Sequence, residues 1–411
     1  MTSANKLKIL NDPIYGFITI PATLLYDLIQ HPYFQRLRRI KQMGLSSLVY
    51  PGAEHTRFHH ALGCMHMMQK AVQVLRFKNV EISKEEEEAL YIAILLHDIG
   101  HGPFSHAMEH SIVENIHHEE ISLLFMEALN EEFEGKLSLA IEIFKGNYPR
   151  KFLIQLISSQ MDMDRMDYLK RDSFYSGVAE GNINSERLVQ MINVHNDVLV
   201  VEEKGIYSVE KFLVARRLMY WQCYLHKTSV GAELLLSKIL KRAKQLTLQG
   251  VDLPASNALK FFLENNVLKA DFNKEVLNNF ALLDDADIYT ALKNWQFHTD
   301  KVLSYLSSAI VNRKLFHVQL VSKDDLPSKL SYYQSLCKDE LEVNDELDYF
   351  VFGDKLKNQA YDLKADPIRI FTKNKEIIDV LEASDQYNLK ALSEPVYKYF
   401  ICYPKSIHKV G

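Results

Sequence analysis

The chain has 411 residues, of which 47% are hydrophobic and 25% charged, a balance that fills a large core and excludes a mostly disordered polymer. A net charge of -5 gives no global basic field for duplex nucleic acid, and no apolar run approaches the roughly 20 residues of a membrane span. The four cysteines form no CxxC pair, which speaks against a disulfide framework or a thiolate zinc site; the start MTSANKLKIL lacks a signal's long apolar core, so a cytoplasmic location is expected.

In chain order, Asn11-Asp12-Pro13 and Tyr15-Gly16 carry turn chemistry, and FITIP after them predicts a short extended piece closed by Pro21. Residues 22–43 predict two helices separated at Pro32, the second being YFQRLRRIKQMG with Gly44 as its stop. Arg36, Arg38, Arg39 and Lys41 crowd that helix, either as a solvated face or as a contact for phosphate. A helix follows from about Arg57 to Phe77. On it His60 shares a face with Gly63, Cys64 and Met67, small and soft residues that let another helix approach.

Ser83 and Glu86 form a capping box that starts a central helix. From Ala89 to Leu96 every side chain is apolar or aromatic, so this helix is packed on all sides, and it ends in His97-Asp98. An imidazole and a carboxylate at the end of a buried rod are costly unless a cation or similar partner engages their lone pairs. Gly100 and Gly102-Pro103 stop the helix, and the bend adds His101 and His106.

His117-His118-Glu119-Glu120 opens the next helix, and residues 151–177 read as one further helix rich in acids. Asp164, Tyr168 and Asp172 recur at i, i+4 and i+8 with Arg165 beside the first, a polar stripe where a structural one would be apolar. Val209 to Leu246 reads as one long helix with Arg216, Tyr220, Tyr224 and Lys227 on a single face, and helical pattern continues over 257–310. Beyond 311, KLFHVQLV, DYFVFG, IRIFTK and YKYFICYP are strand-like, and KEIIDVLEASD has the pattern of a helix. The expected fold is mainly α, with a helical core over 1–310 and a smaller α+β lobe over 311–411.

Two imidazoles and two carboxylates, from His60, His97, Asp98 and Asp164, make a mixed nitrogen and oxygen set suited to manganese, iron, zinc or nickel. Such a cation polarises phosphoryl oxygens and lowers the pKa of water. Arg57, His101, His106 and Arg165 supply groups for a polyphosphate, and His118 can exchange a proton near neutrality. Phosphoester hydrolysis is the expected reaction class.

RFHH (57–60), HDIGHGPFSH (97–106), HEEIS (118–122) and DMDRMDYLKRD (162–172) resemble the motifs of HD-domain phosphohydrolases. NDPIYGFI, FQRLRRIKQMG and YPGAEHTRF bring the fit closest to the deoxynucleoside triphosphate triphosphohydrolases, over about residues 8–230. The resemblance implies a multi-helix HD-domain fold, usually homo-oligomeric as a dimer or tetramer. It makes His60, His97, Asp98 and Asp164 the ligands of a divalent metal, with magnesium accompanying the nucleotide. Arg57, His101, His106, Arg165, Arg216 and Tyr168 would serve phosphates and the reacting centre, while His118 protonates the leaving 5'-oxygen as water attacks the α-phosphorus. Gln42 and Asp172 would hold the sugar 3'-hydroxyl, and Met43 and Tyr224 would close the place of a 2'-hydroxyl. Products would be a deoxynucleoside and inorganic triphosphate.

Asn11, Gln35, Arg38, Val49, His226 and Lys227 resemble an activating-nucleotide site. Gln30 stands where guanine-activated relatives carry Asp, Gln222 where a basic residue is usual, and Tyr220 and Leu225 where the animal enzyme has polar residues. Two alternatives are another HD-type nucleotide phosphohydrolase, such as a monophosphatase or phosphodiesterase, and a non-catalytic nucleotide or single-strand nucleic-acid-binding module.

Overall fold

The structure, a computed structural model, describes residues 8–104, 107–108, 111–113, 116–342, 346–386 and 389–410. After the hairpin β1 (Lys8–Asp12) and β2 (Gly16–Ile20) come α1 (Thr23–Gln30), α2 (Pro32–Gln35), α3 (Arg57–Phe77) and α4 (Lys84–Leu96). They are followed by α5 (His118–Glu132), α6 (Ser138–Phe144), α7 (Lys151–Ile157), α8 (Met163–Ser176) and α9 (Ser185–Met191). The hairpin β3 (Ile192–His195) and β4 (Val198–Glu202) leads to α10 (Ile206–Met219) and α11 (Lys227–Leu248). Helices Asn257–Glu264, Lys274–Leu282, Asp285–Trp295 and Lys301–Val311 complete a mainly α assembly. An α+β part follows, with β5 (His317–Val321), β6 (Phe352–Asn358), β7 (Arg369–Phe371), β8 (Ile377–Asp379) and β9 (Val396–Tyr403) around helix Leu326–Leu341. No helix among the described residues is long and apolar enough to cross a membrane.

Helix α4 is the axis of the molecule. The Ser83 hydroxyl accepts from Glu86 N at 3.1 Å while Ser83 N donates to the Glu86 carboxylate at 2.9 Å, which starts the helix, and Glu85 to Glu87 suit its positive end. Every residue from Ala89 to Leu96 is buried, between α3 on one side and α6 on another. Each large side chain so buried contributes about 1.5–3 kcal/mol of transfer free energy, so the end of this helix is fixed in space.

Three helices differ from the pattern in the sequence. Residues 151–177 split into α7 and α8, because Ser158 is extended and Asp162 leaves the helix to cap the second one, accepting from Arg165 N at 2.9 Å. The stretch from 209 to 246 breaks at a π-turn over Tyr220–Tyr224, after which His226 is extended and caps α11. Arg216, Tyr220, Tyr224 and Lys227 therefore do not form one continuous stripe. The cationic segment is a four-residue α2 followed by a 3-10 turn over Arg36–Arg39. Arg36 in it is fully buried rather than solvated, donating to Ile99 O at 2.7 Å and His101 O at 2.9 Å.

The sheets hold two further departures. The β3–β4 hairpin turns at Asn196-Asp197, both with positive φ, the chemistry of a tight primed turn. Strand β4 then pairs in parallel with β7, which pairs with β8, so residues 192–202 share a sheet with the C-terminal strands. KEIIDVLEASD is half strand (β8) and half a short helix (Val380–Ala383) rather than one helix. Strands β5, β9 and β6 form a separate antiparallel sheet.

Candidate active site

The end of α4, the first turns of α3 and the start of α8 meet at one point. His60 Nε2 lies 3.1 Å from Asp164 Oδ1 and 3.8 Å from Asp98 Oδ2, while His97 Nε2 lies 3.4 Å from Asp98 Oδ1 and 3.6 Å from Asp164 Oδ1. The four side chains named from the sequence are thus brought together. Gly63 makes the α3–α8 approach feasible, since a Cβ there would overlap the Asp167 carboxylate and the Arg171 guanidinium. Gly100 does the same for α5, whose backbone at His118 and Ser122 occupies the place of its Cβ.

Each imidazole is oriented through its far nitrogen. His97 Nδ1 donates to Ile94 O at 2.7 Å, so its proton sits there and the Nε2 lone pair points into the cluster. His60 Nδ1 faces Asp167 Oδ2 at 2.8 Å, and Asp167 is gripped by Arg171 through Nε and Nη2, both at 2.9 Å. Buried carboxylates behind ligating imidazoles are the usual means of fixing ring orientation.

Burial alone would raise the Asp98 pKa, but His97, His101 and Arg57 hold it well below the usual carboxylate range. Burial likewise opposes ionisation of Asp164, and the two imidazoles outweigh it. Burial pushes the pKa of His60 and His97 down, yet neighbours including Cys64 for the first and Asp98 for the second leave both raised. Such a cluster stabilises positive charge, whether protons on nitrogen or a cation in their place. His97 Nε2 is buried without a hydrogen bond, which fits a divalent cation as its partner. Cys64 Sγ, 3.5 Å from both His60 nitrogens, closes the back of the cluster; His60, Cys64, His97 and Asp164 place one donor atom each within 4.8 Å of one another.

Positive charge rings this centre. Arg57 Nη1 donates to Asp98 Oδ2 at 2.6 Å, and its Nε is buried without a hydrogen bond, as are Arg165 Nε and Arg216 Nε and Nη1. Arg165 also holds Asp162 through Nη1. His101 Nε2 is 3.3 Å from Asp98 Oδ1, and its ring stacks on His118 at 3.8 Å between centroids. Burial first, then Arg57, lowers the His101 pKa well below its ordinary value. His106 lies outside the described residues.

A cavity of about 430 Å3 opens beside the cluster, lined by Gln42, Met43, Arg57, Tyr168, Asp172 and Tyr224 among others. Asp172 is doubly held: Oδ1 faces His55 Nε2 at 2.7 Å, and Oδ2 accepts from the Tyr224 hydroxyl at 2.7 Å. Tyr168, Tyr220 and Tyr224 form an edge-to-face wall, with Tyr168 in turn 6.5 Å from the His60 ring. Gln42 Oε1 is buried and makes no hydrogen bond.

The residues named for an activating nucleotide are less gathered. Arg38 Nε donates to Gln35 Oε1 at 2.9 Å and stacks on Phe58, Asn11 is exposed on β1, and Lys227 is exposed at the start of α11. His226 caps that helix 5.9 Å from the ring of Tyr50, next to Val49. Among the described residues no hydrogen bond or ring contact joins the Gln35–Arg38 pair to Asn11 or His226. Residues overlooked in the sequence are His55, Asp167 and Glu233. The Asp167–Arg171 spacing of i, i+4 was the available signal for the second of these.

A family model described as "HD domain" matches residues 57–172, and one described as "HD associated region" matches 183–255. The chain is 32% identical to the uncharacterized protein YwfO of Bacillus subtilis over 391 residues, 92% of this chain and 88% of that one. It is 30% identical to the Dictyostelium discoideum deoxynucleoside triphosphate triphosphohydrolase SAMHD1 homolog over 263 residues, 59% of this chain and 51% of that protein. The crystal structure of a phosphohydrolase (BT4208) from Bacteroides thetaiotaomicron superposes with a TM-score of 0.92 at 52% identity, covering 97% of this chain and 100% of the other.

Proposed function

The chain belongs to the HD-domain phosphohydrolases, and on that premise we propose that it hydrolyses deoxynucleoside triphosphates to deoxynucleoside and inorganic triphosphate. The observation that carries this reading is the continuity of the ligand cluster with the cavity. Arg57 binds Asp98 and lines the cavity, and Tyr168 touches the His60 ring and lines it too. A nucleotide seated there would have its phosphates at the cluster and its sugar against Asp172.

The residues then divide the work. The orphaned N–H groups of Arg57, Arg165 and Arg216 take the triphosphate, supplying the charge-assisted donors that polyphosphate recognition needs. Asp172, steadied by His55 and Tyr224, accepts the 3'-hydroxyl together with Gln42. Met43 and Tyr224 crowd the position of a 2'-hydroxyl. His118, stacked on His101, delivers a proton to the leaving 5'-oxygen. His60, His97, Asp98 and Asp164 would hold manganese, iron, zinc or nickel, which when bound supplies Lewis acidity to the phosphoryl oxygens and acidifies water. Magnesium would accompany the nucleotide. Leu356 of β6 lines the cavity, so the lobe over 311–411 contributes to the substrate wall. A cytoplasmic homo-oligomer with an activating nucleotide at Asn11, Gln35, Arg38, Val49, His226 and Lys227 completes the proposal.

The test is to incubate the protein with each deoxynucleoside triphosphate and manganese or magnesium, with and without a second nucleotide, and resolve the products. Deoxynucleoside and triphosphate are expected. Pyrophosphate and monophosphate would overturn the assignment.

A further inference from the structure

Glu233 stands on α11 one turn beyond Val230, and both line the cavity. Its carboxylate faces Gly44: a Cβ built there would be 3.6 Å from Glu233 Oε1 and 3.8 Å from Phe104 Cδ1. Among the described residues it makes no hydrogen bond and no ion pair, and burial pushes its pKa up to about 7. The nearby cations are committed elsewhere. Lys41, also in the cavity wall, pairs with Glu54 at 2.7 Å and reaches Ser47 Oγ at 3.4 Å, and Arg57 is bound to Asp98. The other carboxylate in the wall, Asp172, has His55 and Tyr224.

Glu233 is half-buried in the cavity wall, and a carboxylate drawn partly out of water without a protein donor costs free energy that an occupant bringing N–H or O–H groups would recover. Resting on the reading of this cavity as a nucleotide site, with Asp172 at the sugar, we propose that Glu233 reads the base by accepting hydrogen bonds from its N–H groups. Above about pH 7 Glu233 is ionised, an acceptor with two oxygens side by side, and donors placed against it favour that form. Guanine offers two adjacent donors, N1–H and the exocyclic amine, and matches both oxygens. Cytosine and adenine offer one amine beside a ring acceptor. Thymine flanks its single N3–H with two carbonyls, which face the carboxylate acceptor to acceptor. The expected order is guanine first and thymine last, and the discrimination is of the kind a site built on hydrogen bonding enforces strongly.

The experiment measures calorimetric binding of the four α,β-imido deoxynucleoside triphosphates, and the four kcat/KM values with natural substrates, for wild type, Glu233→Gln and Glu233→Asp. Wild type is expected to favour guanine over thymine at least tenfold. Both variants should bring that ratio to within about threefold in binding, with metal content and melting temperature preserved. A wild type without guanine preference, variants that keep the wild-type ratios, or analogues that fail to bind would each overturn the proposal. The two readings separate cleanly. A guanine preference in binding that Glu233→Gln removes, without turnover of any natural triphosphate, would retire the hydrolytic reading and keep this one. Normal turnover with unchanged base ratios in the variants would do the reverse.

Discussion

His60 Nδ1 and Asp167 Oδ2 are 2.8 Å apart with both side chains fully buried, and Arg171 closes on the same carboxylate from the next turn of α8. Asp167 therefore fixes the ring whose Nε2 faces Asp98 and Asp164. Although burial opposes its ionisation, Arg171 and His60 hold its pKa at about 2, so it remains charged at any working pH. Asp167→Asn should weaken metal binding about 10–100-fold, read by chelator competition. Unchanged affinity would mean that the ring is held by packing alone.

Gly63 of α3 faces α8 with the Asp167–Arg171 pair occupying the place of a Cβ. Gly63→Ala forces either that pair or the helices to move, and overpacking of this kind costs about 1–3 kcal/mol. The urea midpoint should fall accordingly, and metal affinity should fall with it because His60 moves with α3. A variant that loses stability yet binds metal as tightly as wild type would separate the two.

Glu86 carries a pH dependence. Burial pushes its pKa up, but the Ser83 N–H, Arg150 and the Tyr148 hydroxyl hold it below the ordinary value. A depressed folded-state pKa contributes stability above the unfolded value of about 4.3 and loses it as pH falls through the folded value. Glu86→Gln should therefore melt below wild type at pH 7, by the equivalent of about 1 kcal/mol, and the gap should narrow as the pH drops below 4. A gap that is constant from pH 7 to 3 would contradict the charge-based account.

Tyr224 lines the cavity and donates its hydroxyl to Asp172, and in the proposed pose its ring would lie against the position of a 2'-hydroxyl. Tyr224→Ala should raise the ribonucleotide to deoxyribonucleotide ratio of kcat/KM by at least about tenfold, the range in which one steric contact discriminates. Competition kinetics with paired substrates reads this directly, and a ratio equal to that of wild type removes Tyr224 from sugar selection.

The central helix was legible because burial leaves a mark in composition: eight consecutive apolar residues can only be surrounded, and the capping box at Ser83 and Glu86 dates its start. The i, i+4, i+8 stripe of Asp164, Tyr168 and Asp172 was equally visible, as periodicity survives in an unbroken helix. What periodicity cannot carry is a change of phase. The π-turn at Tyr220–Tyr224 and the cap at His226 rotate one half of a continuous-looking helix against the other. Arg36 reads like its neighbours Arg38 and Arg39, and only the packing of the 3-10 turn against the loop at Ile99 and His101 distinguishes the buried cation from the exposed ones. Glu233 sits in an unremarkable helical run, and its meaning comes from Gly44, nearly 200 residues away.

The central claim is that His60, His97, Asp98 and Asp164 together hold one catalytic cation. Asp98 joins the cluster to the charged groups around it, lying 3.8 Å or less from His60, His97 and His101 and bonded to Arg57. The direct test is metal content by elemental analysis together with deoxynucleoside triphosphate turnover, on wild type and Asp98→Ala prepared identically. The account predicts that the variant stays folded and loses both bound metal and turnover. A variant that retains its full metal content and full activity would contradict it.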